Sequence, residues 1–131
     1  MLLFQFEGLA EDLLRDNDWH LFREFARHHP ELENWIPDLE RPQALTAAIN
    51  IYRANAHPKL SFSPQPFPRV SAPTMGLWAS NDHYLTEAQM LGSATYLDAT
   101  WRYERLDGAS HWLQLDQPDV VNDLLLDFLS R

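Results

Sequence analysis

Along the first 56 residues, apolar side chains recur at helical spacing. Phe6, Leu9, Ala10, Leu13 and Leu14 fall on one face at i, i+3 and i+4. The polar run Arg15-Asp16-Asn17-Asp18 breaks that segment. Asp18 is placed to cap a second helix whose face carries Trp19, Phe22, Phe25 and Ala26. Pro30 and Pro37 punctuate the stretch that follows. A third helix opens near Pro42, a residue suited to a first turn, and its stripe is Leu45, Ala48, Ile49 and Tyr52.

The pattern then changes twice. Residues 57–73, HPKLSFSPQPFPRVSAP, hold five prolines, which fix φ and remove donors, so they read as an extended connector. From 74 onward, short apolar runs alternate with helical ones. TMGLWAS (74–80) has the composition of a buried strand. TEAQ (86–89) is a capping box that opens a helix ending near Gly92. WRYERL (101–106) is a second strand. Val121, Leu124, Leu125, Phe128 and Leu129 then give the cleanest helical periodicity in the chain. Strand, helix, strand, helix implies an α/β arrangement with parallel strands. The expected organisation is a helical segment over 1–56, a connector over 57–73 and an α/β segment over 74–131.

Composition narrows the function. With 19 acidic against 10 basic residues and a net charge of −9, neither nucleic acid nor an anionic membrane is expected as a partner. There is no cysteine, so no disulfide framework and no thiol nucleophile. Apolar runs fall far short of the about 20 residues that span a bilayer. The opening MLLFQFEGLAED lacks a basic leader region, and a cytoplasmic location is expected.

Each strand is followed by a loop with a titratable residue: Asp82 in ASNDHYLT and His111 in DGASHW. In a parallel sheet both loops lie at the carboxyl edge, where ligands bind. Neighbouring strands are about 4.8 Å apart, so an Asp and a His at adjacent strand ends reach one another. A carboxylate on one imidazole nitrogen fixes the tautomer and leaves the other nitrogen as a base. The alternative is a loop histidine that caps the last helix beside an unrelated surface aspartate. His83, adjacent to Asp82, competes as the base. His20, His28 and His29 lack the i, i+4 pair of a helical metal site, and no metal or cofactor is expected. His57 lies in the connector, Trp78 is expected to pack in its strand, and the acidic stretch 31–40 reads as a solvated edge.

Two stretches, APTMGLWASNDHYLTEAQM (72–90) and WRYERLDGASHWLQLDQPDVVNDLLLDFL (101–129), resemble the last two strands of α/β-hydrolases, in the branch of soluble epoxide hydrolases and haloalkane dehalogenases. FQFEGLAE (4–11) and ALTAAINIYRAN (44–55) resemble the beginning and end of that branch's helical cap. Ala109-Ser110 precede His111 where the family often has a glycine. The resemblance implies the C-terminal portion of an α/β-hydrolase fold: a cap segment, then two parallel strands with flanking helices. It implies Asp82 as triad acid, His111 as base and Tyr52 as one of two cap tyrosines that serve an opening epoxide. The residue reading of Tyr52 is a core ring with its hydroxyl at the rim. Trp112 either lines the pocket floor or anchors the last helix.

The family's nucleophile elbow, small-x-nucleophile-x-small, and its oxyanion loop do not occur in these 131 residues. The resemblance places both upstream of the cap, and the second cap tyrosine immediately before Met1. The expectation is a hydrolase portion, epoxide-hydrolase-like and inactive alone, whose substrate in the complete enzyme is a small apolar epoxide or haloalkane. A dehalogenase-like or serine-esterase-like portion, or a non-catalytic interaction module, are the alternatives. An uncovered strand edge would pair with a missing N-terminal half or with another copy.

Overall fold

The computed structural model describes residues 2–55 and 68–130; His57 and residues 57–67 of the connector lie outside them. The chain divides into two compact units, Met1–Gln65 and Pro66–Arg131.

The first unit is helical. A 3-10 turn at Leu2–Gln5 precedes α1 (Leu9–Phe25), α2 (Leu32–Glu40) and α3 (Ala44–Asn55). The polar break predicted at 15–18 is a kink within α1: Asn17, Asp18 and Trp19 adopt left-handed φ values of 49°, 54° and 58°. Asn and Asp tolerate that region; Trp19 is held in it by burial. Asp18 is therefore not a helix cap, and its main-chain carbonyl instead accepts from Arg23 Nε at 3.0 Å. Phe6 precedes the helix and is exposed, whereas Ala10, Leu14, Leu45 and Ile49 form the core with Phe4, Leu32 and Ile36. Pro37 does not end an element but sits inside α2. The missing N–H costs that short helix one bond, while Leu32 and Ile36 bury its inner face.

The ion pair between Glu11 and Arg53 is buried in this unit. The Arg53 guanidinium grips Glu11 with Nη1 on Oε1 at 2.8 Å and Nη2 on Oε2 at 2.9 Å, and its Nε donates to the Phe4 carbonyl at 2.7 Å. Glu11 is only 5% exposed. The pair ties α1, α3 and the opening turn together. The Arg53 hydrogen bond outweighs burial and holds the Glu11 carboxyl down from 4.5 to about 2.

In the second unit, β1 (Thr74–Ala79) and β2 (Trp101–Leu106) pair in parallel, with Thr74 opposite Trp101 and Ala79 opposite Leu106. Between them lie α4 (Glu87–Gly92) and a 3-10 turn, Ser93–Tyr96; after them come α5 (Leu113–Asp116) and α6 (Pro118–Leu129). The capping box is present: Thr86 Oγ1 accepts from the Gln89 N–H at 3.2 Å and Gln89 Oε1 from the Thr86 N–H at 2.8 Å. Strand alternation sends the two faces to different helices. Ala79 and Leu106 pack with Ala109 and Val121 of the α6 side, joined by Leu77, Leu113 and Leu124. On the other face Trp101 and Met90 close over Gly76, where a Cβ would lie 2.2 Å from Trp101 Cη2 and 2.6 Å from Met90 Sδ. The stripe predicted on α6 is buried only at its start, at Val121: Leu125 and Leu129 are 41% and 76% exposed. A two-stranded sheet is too narrow to cover the rest. Among the described residues no helix is long and apolar enough to cross a membrane.

Two outcomes follow from this packing. A carboxyl depressed by folding stabilises the native state above its unfolded pKa, and that contribution is lost as pH falls through the folded value. Amide protection at Ile49 should therefore decline as pH is lowered from 4.5 towards 2, and Glu11→Gln should remove that part of the pH dependence. Gly76→Ala should cost about 1–3 kcal/mol in urea unfolding, the range for overpacking.

Candidate active site

The parallel register delivers both loops to one sheet edge. Beyond Ala79 the chain stays stitched to its neighbour: the Ser80 N–H donates to the Leu106 carbonyl at 3.0 Å and the Asn81 N–H to the Ala109 carbonyl at 3.1 Å. The Gly108 N–H donates to Ser80 Oγ at 2.8 Å and Asn81 Nδ2 to the Gly108 carbonyl at 3.1 Å. Gly108 has φ +82°, so the turn out of β2 requires a glycine. Ala109 is fully buried beneath it.

Asp82 and His111 meet across these loops. His111 Nδ1–H donates to Asp82 Oδ2 at 2.9 Å. An ionised carboxylate only accepts, so the shared proton belongs to Nδ1, and Nε2 of the neutral ring keeps its lone pair. The other carboxylate oxygen, Oδ1, accepts from the Tyr84 and Leu85 N–H groups at 2.8 and 3.0 Å. The Asp82 side chain is 6% exposed and that of His111 35%. Burial pushes the Asp82 carboxyl up, but the bonds from His111, Leu85 and Tyr84 outweigh it and hold it below its ordinary value. The arrangement is a buried, oriented acid and a solvent-facing base, which suits proton abstraction.

The candidate Trp112, together with Tyr84, Asp116 and Gln117, which the sequence did not single out for the site, braces the base. Asp116 Oδ2 accepts from the Ser110 N–H at 2.6 Å, and Gln117 Nε2 donates to the Asp107 carbonyl at 2.9 Å. Tyr84 packs its ring 4.9 Å from that of His111, and Trp112 packs edge-on to both, at 5.5 Å from His111 and 6.0 Å from Tyr84. Tyr84 carried a signal in the sequence: an aromatic two residues beyond the acid, at the mouth of the same loop.

The remaining candidates have other surroundings. Tyr52 is on α3 of the first unit, with its ring 5.0 Å from Phe4. His83 is exposed. His28 pairs with Glu24 at 2.8 Å and His29 stacks on Trp35 at 5.0 Å. No group of three metal-ligating side chains occurs among the described residues. A cleft of about 470 Å³ in the first unit is polar, and Glu11 and Arg53 satisfy each other in its wall.

No protein-family model matches the chain. Human epoxide hydrolase 4 is 31% identical over 141 residues, covering 98% of this chain and 38% of that protein. Epoxide hydrolase 3 of Xenopus tropicalis is 35% identical over 101 residues, covering 77% and 26%. An AB hydrolase superfamily protein of Bacillus subtilis is 25% identical over 136 residues, covering 98% and 46%. The chain thus spans less than half the length of these relatives. Among solved structures, the type II thioesterase of the borrelidin biosynthetic cluster superimposes with a TM-score of 0.60 at 19% identity, over 96% of this chain and 45% of that one.

The two bonds to Oδ1 and the one to Oδ2 make a prediction. His111→Ala removes a bond that lowers the Asp82 carboxyl and leaves the burial that raises it, so the carboxyl should titrate at higher pH than in the wild type. Carboxyl carbon NMR of the labelled chain checks this; an unchanged titration contradicts the pairing.

Proposed function

The chain belongs to the α/β-hydrolases and corresponds to their C-terminal part, and on that premise we propose that it supplies the acid and base of an epoxide-hydrolysing site. The observation that carries this reading is the Asp82–His111 bond at the carboxyl edge of a parallel sheet. It is supported by similarity to several epoxide hydrolases.

In this reading a carboxylate nucleophile from outside the 131 residues attacks an epoxide carbon. The C–O bond breaks, and Tyr52 donates a hydrogen bond or proton to the departing oxygen. The product is an alkyl-enzyme ester. His111 Nε2 then takes a proton from water as the water oxygen attacks the ester carbonyl. Collapse of that intermediate releases the diol and regenerates the carboxylate. Asp82 stabilises the imidazolium and holds the ring in its reactive tautomer. Trp112, edge-on to the imidazole, lines the apolar side of the substrate space. The partners are then a small apolar epoxide and the segment that carries nucleophile and oxyanion donors.

The test is hydrolysis of styrene oxide. The 131-residue chain alone should show no turnover above background, because a base and its orienting acid cannot form the ester. Combined with a hydrolase segment bearing an elbow and oxyanion loop, the chain should support turnover. His111→Ala should reduce it by about 10²–10⁴-fold, the usual worth of a general base. Turnover by the chain alone that His111→Ala abolishes would show a nucleophile within it and overturn the division of labour proposed here.

A further inference from the structure

Asp82 owes its setting to a residue on the strand that precedes its loop. Trp78 lies on β1, four positions before Asp82, and is buried. Its indole Nε1–H donates to the Leu85 carbonyl at 2.9 Å. Leu85 is the residue whose N–H donates to Asp82 Oδ1 at 3.0 Å. Its main chain is therefore held from both sides, by the strand through its carbonyl and by the acid through its N–H. The residues around this clamp are fixed by β2. Arg105, opposite Trp78 in the register, places its guanidinium 5.3 Å from the indole centre. The same guanidinium donates to Glu87 Oε2 at 3.0 Å and to Asp107 Oδ1 at 2.7 Å, and the Tyr103 hydroxyl donates to Glu87 Oε1 at 2.7 Å. Glu87 begins α4, two residues after Leu85, so the exit of the acid loop is held as firmly as its start.

The geometry points to Trp78 as a positioning residue: through the main chain of Leu85, whose carbonyl accepts from the indole and whose N–H donates to the acid, it fixes the Asp82 carboxylate in the orientation that meets His111. This inference rests on the acid–base reading of that pair. A packing tryptophan needs only its ring, whereas positioning needs the N–H. Removing the N–H releases the Leu85 carbonyl, frees the φ and ψ of Leu85, and weakens the bond from its N–H that stabilises the ionised form of Asp82.

The two roles separate when Trp78 is replaced by 3-benzothienylalanine, which keeps the bicyclic ring beneath Arg105 and carries sulfur in place of N–H. Trp78→Phe is the second variant, with the same loss and a smaller ring. The readouts are the pH titration of the Asp82 carboxyl carbon and the hydrogen exchange of the Leu85 amide. Positioning predicts that both variants titrate Asp82 at higher pH than the wild type, and that the Leu85 amide exchanges at least about tenfold faster, the factor that 1.4 kcal/mol of lost protection gives. Exchange within β2 stays unchanged in the benzothienyl variant. Wild-type values for both readouts in that variant overturn the inference and leave Trp78 as packing alone. His111→Ala in the same experiment tests the pair itself. If it fails to move the Asp82 titration, the acid–base reading falls, independently of Trp78.

Discussion

The register of six residue pairs between β1 and β2 sets the rest of the second unit. Both strands end level, at Ala79 and Leu106, so the loops that follow begin side by side. The hydrogen bonds of Ser80, Asn81 and Gly108 then continue the pairing into the loops themselves. A slip of β2 by one residue would move its loop about 3.3 Å along the other and turn the side chains of β2 to the opposite face. Leu106 would leave the core it shares with Ala79 and Val121, and Trp101 would no longer meet Gly76. The register that packs the sheet also brings carboxylate and imidazole to 2.9 Å.

The first unit is organised by a different force. Its helices are short, one is kinked and one holds a proline, yet the buried Glu11–Arg53 pair reaches three of its elements at once. Breaking a buried pair leaves an unpaired charge in a dry setting, which is more costly than losing a contact. The pair therefore acts chiefly as a constraint on arrangement: α1 and α3 have one relative placement that satisfies both charges. Tyr52 sits one residue before Arg53, so the same constraint fixes the backbone that carries it.

Much of this was legible in the chain because it is local. The apolar runs 74–80 and 101–106 are strands, the Thr86–Gln89 box opens α4, and Gly92 closes it. Asp82 and His111 stood out because each follows a strand directly. What escaped the reading is non-local or runs against a local rule. Glu11 looks like a solvent-facing position of an amphipathic helix, and only the fold brings Arg53 to it. Pro37 reads as a terminator, but burial of Leu32 and Ile36 overrides that preference. The short α5 and the braces from Asp116 and Gln117 carry no periodic signal, since they depend on where the loop after β2 lands. The α6 stripe is periodic, as its sequence predicts, and its exposed second half reflects how little sheet lies beneath it.

The site turns on one proton. A base held by Asp82 through Nδ1 must present a bare Nε2 to water. The nitrogen chemical shifts of the His111 ring, recorded on labelled protein with the imidazole neutral, report which nitrogen carries the proton. The structure predicts a single tautomer with the proton on Nδ1 and none on Nε2, lost in Asp82→Asn. A proton on Nε2, or a rapidly exchanging mixture of the two forms in the wild-type chain, would contradict it.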